Sequence, residues 1–387
     1  MVTLAPENKD IEVSVVIPAL NEEGTIGRCI EKIFTVFSSG KIRGEVIIAD
    51  SSTDATAVIA RDLGAVVVRS ELKGYGAAYL EGFRHAQGRY IVMGDADNTY
   101  DFSDIVRLIQ PLKTGADFVI GSRFKGEIRP GAMTALHRYI GNPLLTWMVN
   151  RVFDTCFSDT HSGFRAIRRG ALEKLDLHTG GMEFASEMLI RASEKALVIN
   201  EVPISYDVRE TPSNLHSFAD GWRHIRFVLL LRPVPFLAFP GILFVLIGVS
   251  LMALFSVSGD VETSHLHSFI LGAFLLLGGA QGVFMGVLIS TYSTVHGYQE
   301  KTGFMQTIMD YHNLEKFLII GGICILSGLF AGAQIIYRWV VSHFGELSEI
   351  SSAVVALLLI IIGMEILFFS IFISMMLLNE KSGAFME

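Results

Sequence analysis

The stretch RYIVMGDADNTYDF, residues 89–102, runs four apolar side chains, Tyr90 to Met93, straight into Asp95, Asp97 and Asp101. So short an apolar run reads as a strand buried on both faces, the kind found inside parallel sheets. Its abrupt end puts carboxylates at the carboxyl end of the strand, where open α/β sheets bind their ligands. Upstream, the runs VSVVIPAL (13–20), EVIIAD (45–50) and AVVVRS (65–70) are separated by helical periods. These are Thr25 to Phe37, a helix opening in STDATAVIARDLG (52–64), and Gly76 to Ala86. Strand and helix alternating at this pitch predict an α/β domain with a mostly parallel sheet, covered by helices on both faces.

The 387 residues are 51% hydrophobic, with a mean hydropathy of +0.46 that implies a part living in lipid. Residues 1–232 hold 27 of the 31 Lys and Arg and 29 of the 39 Asp and Glu. The remainder carries 4 basic and 10 acidic side chains, so most of the net charge of −8 lies there, which argues against a nucleic-acid binder. Apolar runs at 234–256, 268–291, 317–342 and 352–378 each reach the ~20 residues that cross a hydrocarbon core. They predict an all-α transmembrane domain of four helices over 234–387, after a domain at 1–212.

Lys301 and Lys316 lie in the loop 292–316, and Arg223, Arg226 and Arg232 precede the first run, whereas loops 257–267 and 343–351 have no Lys or Arg. Arg338 runs against this bias, which otherwise places the first domain and both termini on the cytoplasmic side of the cell membrane. Residues 213–233 between the domains contain SNLHSFADGWRHIRFVLLLR. This reads equally as an ordinary domain helix and as a juxtamembrane amphipathic helix anchored by Trp222. The opening MVTLAPENKDIEV has neither the basic nor the apolar region of a cleavable signal. Cys29, Cys156 and Cys324 are odd in number and lack metal-ligand spacing, so they are expected to be packing residues.

Asp95 and Asp97 stand two residues apart, and on an extended chain they share a face. Two such carboxylates repel unless a cation lies between them, and hard oxygen ligands suit Mg²⁺ or Mn²⁺ with phosphate oxygens completing the shell. The same residues also read as a polar turn in which Asp101 or Ser103 caps the following helix. The pair alone leaves both readings open.

The other strand ends add to it. IPALNEE (17–23), DSSTDAT (50–56), KGYGAAYLEGF (73–83) and GDAD (94–97), in that order, resemble the family 2 glycosyltransferases of GT-A fold over roughly the first 230 residues. VIGSRF (119–124), HRYIGN (137–142), SDTHSGFRAIRR (158–169) and the stretch 182–207 resemble the polyprenyl-phosphate sugar synthases, among them dolichyl-phosphate mannose and glucose synthases. Residues 121–170 hold eight Arg and Lys against three acids, a surplus suited to a phosphorylated acceptor and equally to a basic face near anionic lipid.

The resemblance implies a roster of roles. Asp97 would hold the metal of a nucleotide-sugar diphosphate, with Asp95 supporting metal or ribose, and Thr99, two residues on where many relatives use Gln, would be a further metal ligand. Pro18, Leu20, Glu22, Asp50, Lys73, Ala96 and Arg209 would bind the nucleotide. Arg123 and Arg138, with Asn142, would steer the acceptor phosphate onto the anomeric carbon with inversion. That phosphate is already ionised near neutral pH, so no obligatory base is assigned.

Four positions depart from the relatives' pattern: Ala49 before Asp50, Thr99, Asn142 and Asn214. The variant GDADNTYDF with FKGEIRPGAM and GMEFASEM is similar to proteins named dolichyl-phosphate glucose synthases, which puts UDP-glucose or UDP-N-acetylglucosamine ahead of GDP-mannose as donor. The implied partners are this donor, a polyprenyl or dolichyl phosphate, membrane lipid and, through the membrane helices, a further copy of the chain. A processive polysaccharide synthase is a second reading, though no QxxRW motif occurs, and a non-catalytic membrane partner or lipid translocator is a third. Glu365, in the fourth run, is expected to be protonated and hydrogen-bonded to Gln281 or Gln334. His161 and His178 are expected to be structural.

Overall fold

The computed structural model describes residues 4–71, 74–210, 217–256, 265–299, 301–344 and 349–383. The chain forms two compact units, Met1–Phe227 and Val228–Glu387. Lys73 and Asn214 lie outside the described residues.

In the first unit the order is β1 (Val13–Ala19), α1 (Ile26–Ser39), β2 (Gly44–Asp50), α2 (Thr56–Asp62), β3 (Val66–Arg69), α3 (Tyr75–His85) and β4 (Tyr90–Met93). Then come α4 (Ile105–Thr114), β5 (Phe118–Ile128), α5 (Asn142–Phe153), β6 (Arg165–Arg168), α6 (Arg169–Leu172), α7 (Phe184–Glu194) and β7 (Ile199–Tyr206). Seven strands make one sheet in the order β3-β2-β1-β4-β6-β5-β7. All neighbours run parallel except β6, which is antiparallel to both β4 and β5.

Alternation along the strands builds two cores. Val13, Val15 and Ile17 of β1, with Tyr90 and Val92 of β4, pack with α1 and α4. Val16, with Ile91 and Met93, packs on the other face with α3 and α7. Helix α1 meets its core through Ile26, Cys29, Ile30, Ile33, Val36 and Phe37, a spacing of threes and fours that lines one helical face. Each fully buried side chain of this size contributes about 1.5–3 kcal/mol relative to leaving it in water.

Register decides which loops meet. Ala19 pairs with Asp50 and Val16 with Met93, so β1, β2 and β4 finish along one edge. Because β6 is antiparallel, its first residue Arg165 faces Met93, the last of β4, and the loop before β6 therefore arrives beside the loop after β4. Strand β7 delivers Tyr206 to a bridge with Tyr100 at this edge.

Helix α8 (Ser217–Leu231) holds the division between the units. The second unit consists of α9 (Phe239–Ser256), α10 (Leu266–Val295), α11 (Gly303–Met309), α12 (Tyr311–Val341) and α13 (Ile350–Gly383). Val234–Phe255, Leu266–Val295, His312–Val341 and Ile350–Leu378 are long and apolar enough to cross a membrane. Without water to drive association, such helices rely on close contact of small residues. A Cβ on Gly279 of α10 would stand 2.6 Å from the Gly241 carbonyl of α9, and one on Gly363 of α13 would stand 2.8 Å from the Gly321 carbonyl of α12. Arg338, the cation that opposed the charge bias, donates to Glu349 at 2.7 Å. Glu365 does not form the hydrogen bond expected with Gln281 or Gln334, for its Oε2 is buried with no partner among the described residues. Phe369, one turn along, meets Phe284 of α10 at a tilt and Phe317 of α12 edge to face.

Candidate active site

The crevice opens where β1, β2 and β4 end. Asn21 adopts the left-handed conformation (φ 57°), which lets the chain turn sharply off β1. Its backbone N–H donates to Ser52 Oγ at 2.8 Å and its Oδ1 accepts from the Thr53 N–H at 2.9 Å. The Glu22 N–H donates to Thr56 Oγ1 at 3.0 Å, and the Ser52 N–H donates to Asp50 Oδ1 at 3.2 Å. Side chains thus lace the β1 and β2 loops together, leaving Leu20 exposed above Pro18 while Asp50 and Glu22 are buried.

Asp95 follows β4 by two residues. Its Oδ1 accepts the Tyr75 hydroxyl at 3.0 Å, with the Tyr79 hydroxyl 3.5 Å away. Tyr79 donates to the Gly94 carbonyl at 2.9 Å. Gly163 lies against the same carboxylate: a Cβ there would meet Tyr75 Oη at 2.7 Å and Asp95 Oδ2 at 2.8 Å. Loss of hydration, and then the charge of Asp97, push the Asp95 carboxyl up to about 7, while the Tyr75 hydrogen bond, Arg209 and Arg123 work the other way.

Asp97 is almost fully buried. Thr99 closes back on it, the N–H donating to Oδ1 at 3.1 Å and the hydroxyl at 2.6 Å. Arg209, three residues after β7, brings Nη1 to 3.4 Å from Asp97 Oδ2, and its Nη2 donates to Glu22 Oε1 at 3.0 Å. Asp101 caps the turn that follows, accepting from the Ser103 N–H at 3.0 Å. Ala96 is buried, its carbonyl accepting from the Cys29 thiol, whose pKa burial raises to about 12; Cys29 is inert packing.

Arg123 sits in β5 with its guanidinium locked. Nε and Nη2 donate to Asp159 Oδ2 and Oδ1 at 2.7 and 2.8 Å, and the guanidinium carbon stands 5.2 Å from the Tyr206 ring centre. Arg138 is elsewhere, in the π-helical turn His137–Gly141 that leads into α5. Its guanidinium lies over the neighbouring Tyr139 ring at 5.6 Å, and the Asn142 amide donates to Met133 Sδ at 3.4 Å. The structure therefore gathers Glu22, Asp95, Asp97, Thr99 and Arg209, with Arg123 near enough to act on Asp95, and leaves Arg138 and Asn142 on a separate helix. His161 contacts Thr160 Oγ1 at 2.9 Å and His178 pairs with Asp176 at 3.0 Å, in loop-holding positions.

Tyr75, Asp159 and Tyr206 escaped the reading of single motifs. Tyr75 and Asp159 stand inside KGYG and SDTHSGFR, but no spacing rule tells which distant partner each will meet.

No cluster of three or more His, Cys, Asp or Glu fit to hold a metal occurs among the described residues. Asp95 and Asp97 still suit one kind of divalent ion. Burial and then their mutual repulsion raise the Asp95 pKa, and an octahedral ion such as Mg²⁺ needs only one or two carboxylates when substrate phosphates complete its shell.

Residues 14–176 match the family described as glycosyl transferase family 2, and residues 287–377 match its C-terminal transmembrane region. The chain is 42% identical over 359 residues to a low-salt glycan biosynthesis hexosyltransferase of Haloferax volcanii, covering 92% of this chain and 87% of that protein. The chain belongs to glycosyltransferase family 2. This family 2 enzyme is thus a GT-A glycosyltransferase followed by a helical membrane region, and the matched transmembrane region together with four candidate spans among the described residues makes it a membrane protein. It is 32% identical over 212 residues, 54% of its length and 89% of the other's, to a dolichyl-phosphate hexose transferase of the same organism. Among solved structures, a glucosyl-3-phosphoglycerate synthase from Mycobacterium tuberculosis is similar at 26% identity and a TM-score of 0.48, covering 57% of this chain and 79% of that one.

Proposed function

We propose that this glycosyltransferase moves a hexose, with inversion, from a nucleotide sugar to a polyprenyl or dolichyl phosphate, giving a β-linked lipid-phosphate sugar on the cytoplasmic side of the membrane. The observation that carries the reading is the pairing of Asp95 and Asp97 at the end of β4 with Arg209 and Glu22 beside them, in a chain related over most of its length to a hexosyltransferase. The dolichyl-phosphate hexose transferase relative supports the lipid acceptor. UDP-glucose and UDP-N-acetylglucosamine are the preferred donors, ahead of GDP-mannose.

In this reading Pro18, Leu20, Asp50 and Ala96 line the nucleoside pocket, with Lys73 a further nucleotide contact. Asp97 and Asp95 hold Mg²⁺ or Mn²⁺, and Thr99 orients the Asp97 carboxylate. The bound cation supplies neutralisation of the diphosphate charge. Arg209 leaves Asp97 for the diphosphate, adding a fixed positive charge where negative charge grows as the glycosidic bond stretches. The bond from the anomeric carbon to the diphosphate breaks, and its electron pair stays on the leaving oxygen. An acceptor phosphate oxygen forms the new bond from the opposite face, guided by Arg138 and Asn142, with Arg123 holding the wall of the site through Asp159. No proton has to be removed from the nucleophile, because a phosphate monoester is ionised near neutral pH.

Membranes bearing the full chain, incubated with radiolabelled nucleotide sugars and polyprenyl phosphate, test this reading. Organic-extractable label that disappears with chelator and in Asp97→Ala is the expected result. Label retained in polymer, or no transfer from any donor, overturns it.

A further inference from the structure

Helix α10 turns a different face to each of its surroundings. Towards α9 it presents glycines: a Cβ on Gly272 would stand 2.9 Å from the Gly248 carbonyl, and one on Gly279 2.6 Å from the Gly241 carbonyl. Towards α13 it presents Phe284, whose ring centre lies 5.3 Å from that of Phe369. A third face meets no element among the described residues. Leu271, Phe274, Met285 and Tyr292 on it are between 40% and 69% exposed. Gln281 is exposed beside them, and a Cβ on Gly278 would meet nothing within 4 Å.

Positions 271, 274, 278, 281 and 285 alternate steps of three and four, the seam along which two helices pack knobs into holes. Lipid would cover the apolar members equally well. Gln281 is what lipid cannot satisfy. It stands midway along the span Leu266–Val295, with about 20 Å of helix to either end, too far for a short amide to reach headgroup water. In hydrocarbon its donors and its carbonyl would go unpaired, which spanning segments avoid. The amide of Gln334 has an outlet, because it lies about two turns from the end of its span with Tyr337 and Trp339 beyond it at interface depth. Glu365 turns its Oε2 into the interior of its own unit.

The amide also says what covers the face. A carboxamide carries donors and acceptor together, so it is satisfied by another carboxamide. Copies of the chain cross the membrane in the same sense, and a two-fold axis along the membrane normal sets each seam residue against its own counterpart. Gly278 facing Gly278 lets the two backbones approach, one turn from the amides.

We propose that α10 pairs with α10 of a second copy of this chain through Leu271, Phe274, Gly278, Gln281 and Met285, with reciprocal hydrogen bonds between the two Gln281 amides. One polar side chain in an apolar seam fixes register and the number of helices. Such pairing needs no transferase activity and stands apart from the proposed reaction.

The test uses the full chain in lipid membranes. With Cys156→Ser and Cys324→Ala as background, single cysteines are placed at Phe274→Cys and Met285→Cys on the seam, and at Leu246→Cys of α9 and Leu326→Cys of α12, both exposed. Oxidation by copper phenanthroline should trap covalent dimers at the first two and few at the others. A yield at Phe274 and Met285 no higher than at Leu246 and Leu326 overturns the proposal, and lipid or another helix then covers the face.

A second measurement isolates the amide. Donor and acceptor dyes on the exposed Cys156, with Cys324→Ala, report association by energy transfer as lipid dilutes the protein. Gln281→Leu should move the midpoint to about tenfold more protein per lipid, the scale of one interhelical polar contact. Leucine is favourable in a span, so this loss would not reflect unfolding. Gln281→Asn, which keeps the amide, should recover part of it. A midpoint that Gln281→Leu leaves unchanged or lowers also overturns the proposal.

Discussion

Tyr75 donates its hydroxyl to Asp95 Oδ1 across 3.0 Å, tying the start of α3 to the acid that follows β4. The bond favours the ionised carboxylate, so it holds the Asp95 pKa below where burial and Asp97 would otherwise send it. Tyr75→Phe removes the donor and leaves the ring. The acidic limb of the pH profile of kcat/KM should move to higher pH, with a loss of roughly tenfold at neutral pH, as for one hydrogen bond to a charged group. An unmoved limb would separate Asp95 from the chemistry.

With its carboxyl pushed up to about 7, Asp95 keeps a proton below that pH when no cation is present. A divalent ion entering with a nucleoside diphosphate must displace it, so the apparent affinity should weaken as pH falls below about 7 and level off above. Calorimetry of Mn²⁺ binding in two buffers of different ionisation enthalpy should record protons released at pH 6 and few at pH 8. The linked stability has a definite sign. A folded-state pKa raised above the ordinary carboxylate value means that the folded chain binds more protons than the unfolded one through that window. The metal-free protein should therefore lose stability as pH rises from about 4 to about 7.

Arg209 stands between two acids, Asp97 and Glu22. Arg209→Ala leaves both without this cation and removes a candidate partner of the diphosphate. Turnover should fall about 30- to 150-fold, the range of a charge-assisted contact of about 2–3 kcal/mol. Arg209→Lys should recover part of the loss, since a point charge remains but the two-pronged geometry does not. Kinetics of both variants at saturating donor check this, and equal activity of Ala and Lys would exclude a role for the charge.

Arg123 and Asp159 are a buried pair, their side chains 8% and 0% exposed. Asp159→Ala strands a buried cation beside Tyr100 and Tyr206, and such a loss costs about 3–5 kcal/mol. Thermal unfolding of the detergent-solubilised chain should shift down by several degrees. Replacing both partners by leucine should restore much of the stability, because no unpaired charge then remains.

Much of the architecture was legible along the chain. Alternating apolar runs placed β1 to β4 and α1 to α3 to within a few residues, since burial imposes its own period on each element. The four long apolar runs likewise match helices of spanning length. Asp101 as a cap was local chemistry and was also readable. Spacing says little about partners far apart in sequence. Arg123 and Asp159 are 36 residues apart, Tyr75 and Asp95 20, and Arg209 and Glu22 187.

Composition and periodicity by themselves determined an α/β domain, a strand closing on two aspartates and a helical membrane region, because each follows from which side chains water rejects at a given spacing. Tertiary structure alone decided what the carboxylates face. One antiparallel strand, β6, reverses the direction in which SDTHSGF approaches the edge, and so sets Gly163 against Asp95 and Asp159 against Arg123. Strand direction is a property of how whole elements pack, and no short stretch of residues encodes it.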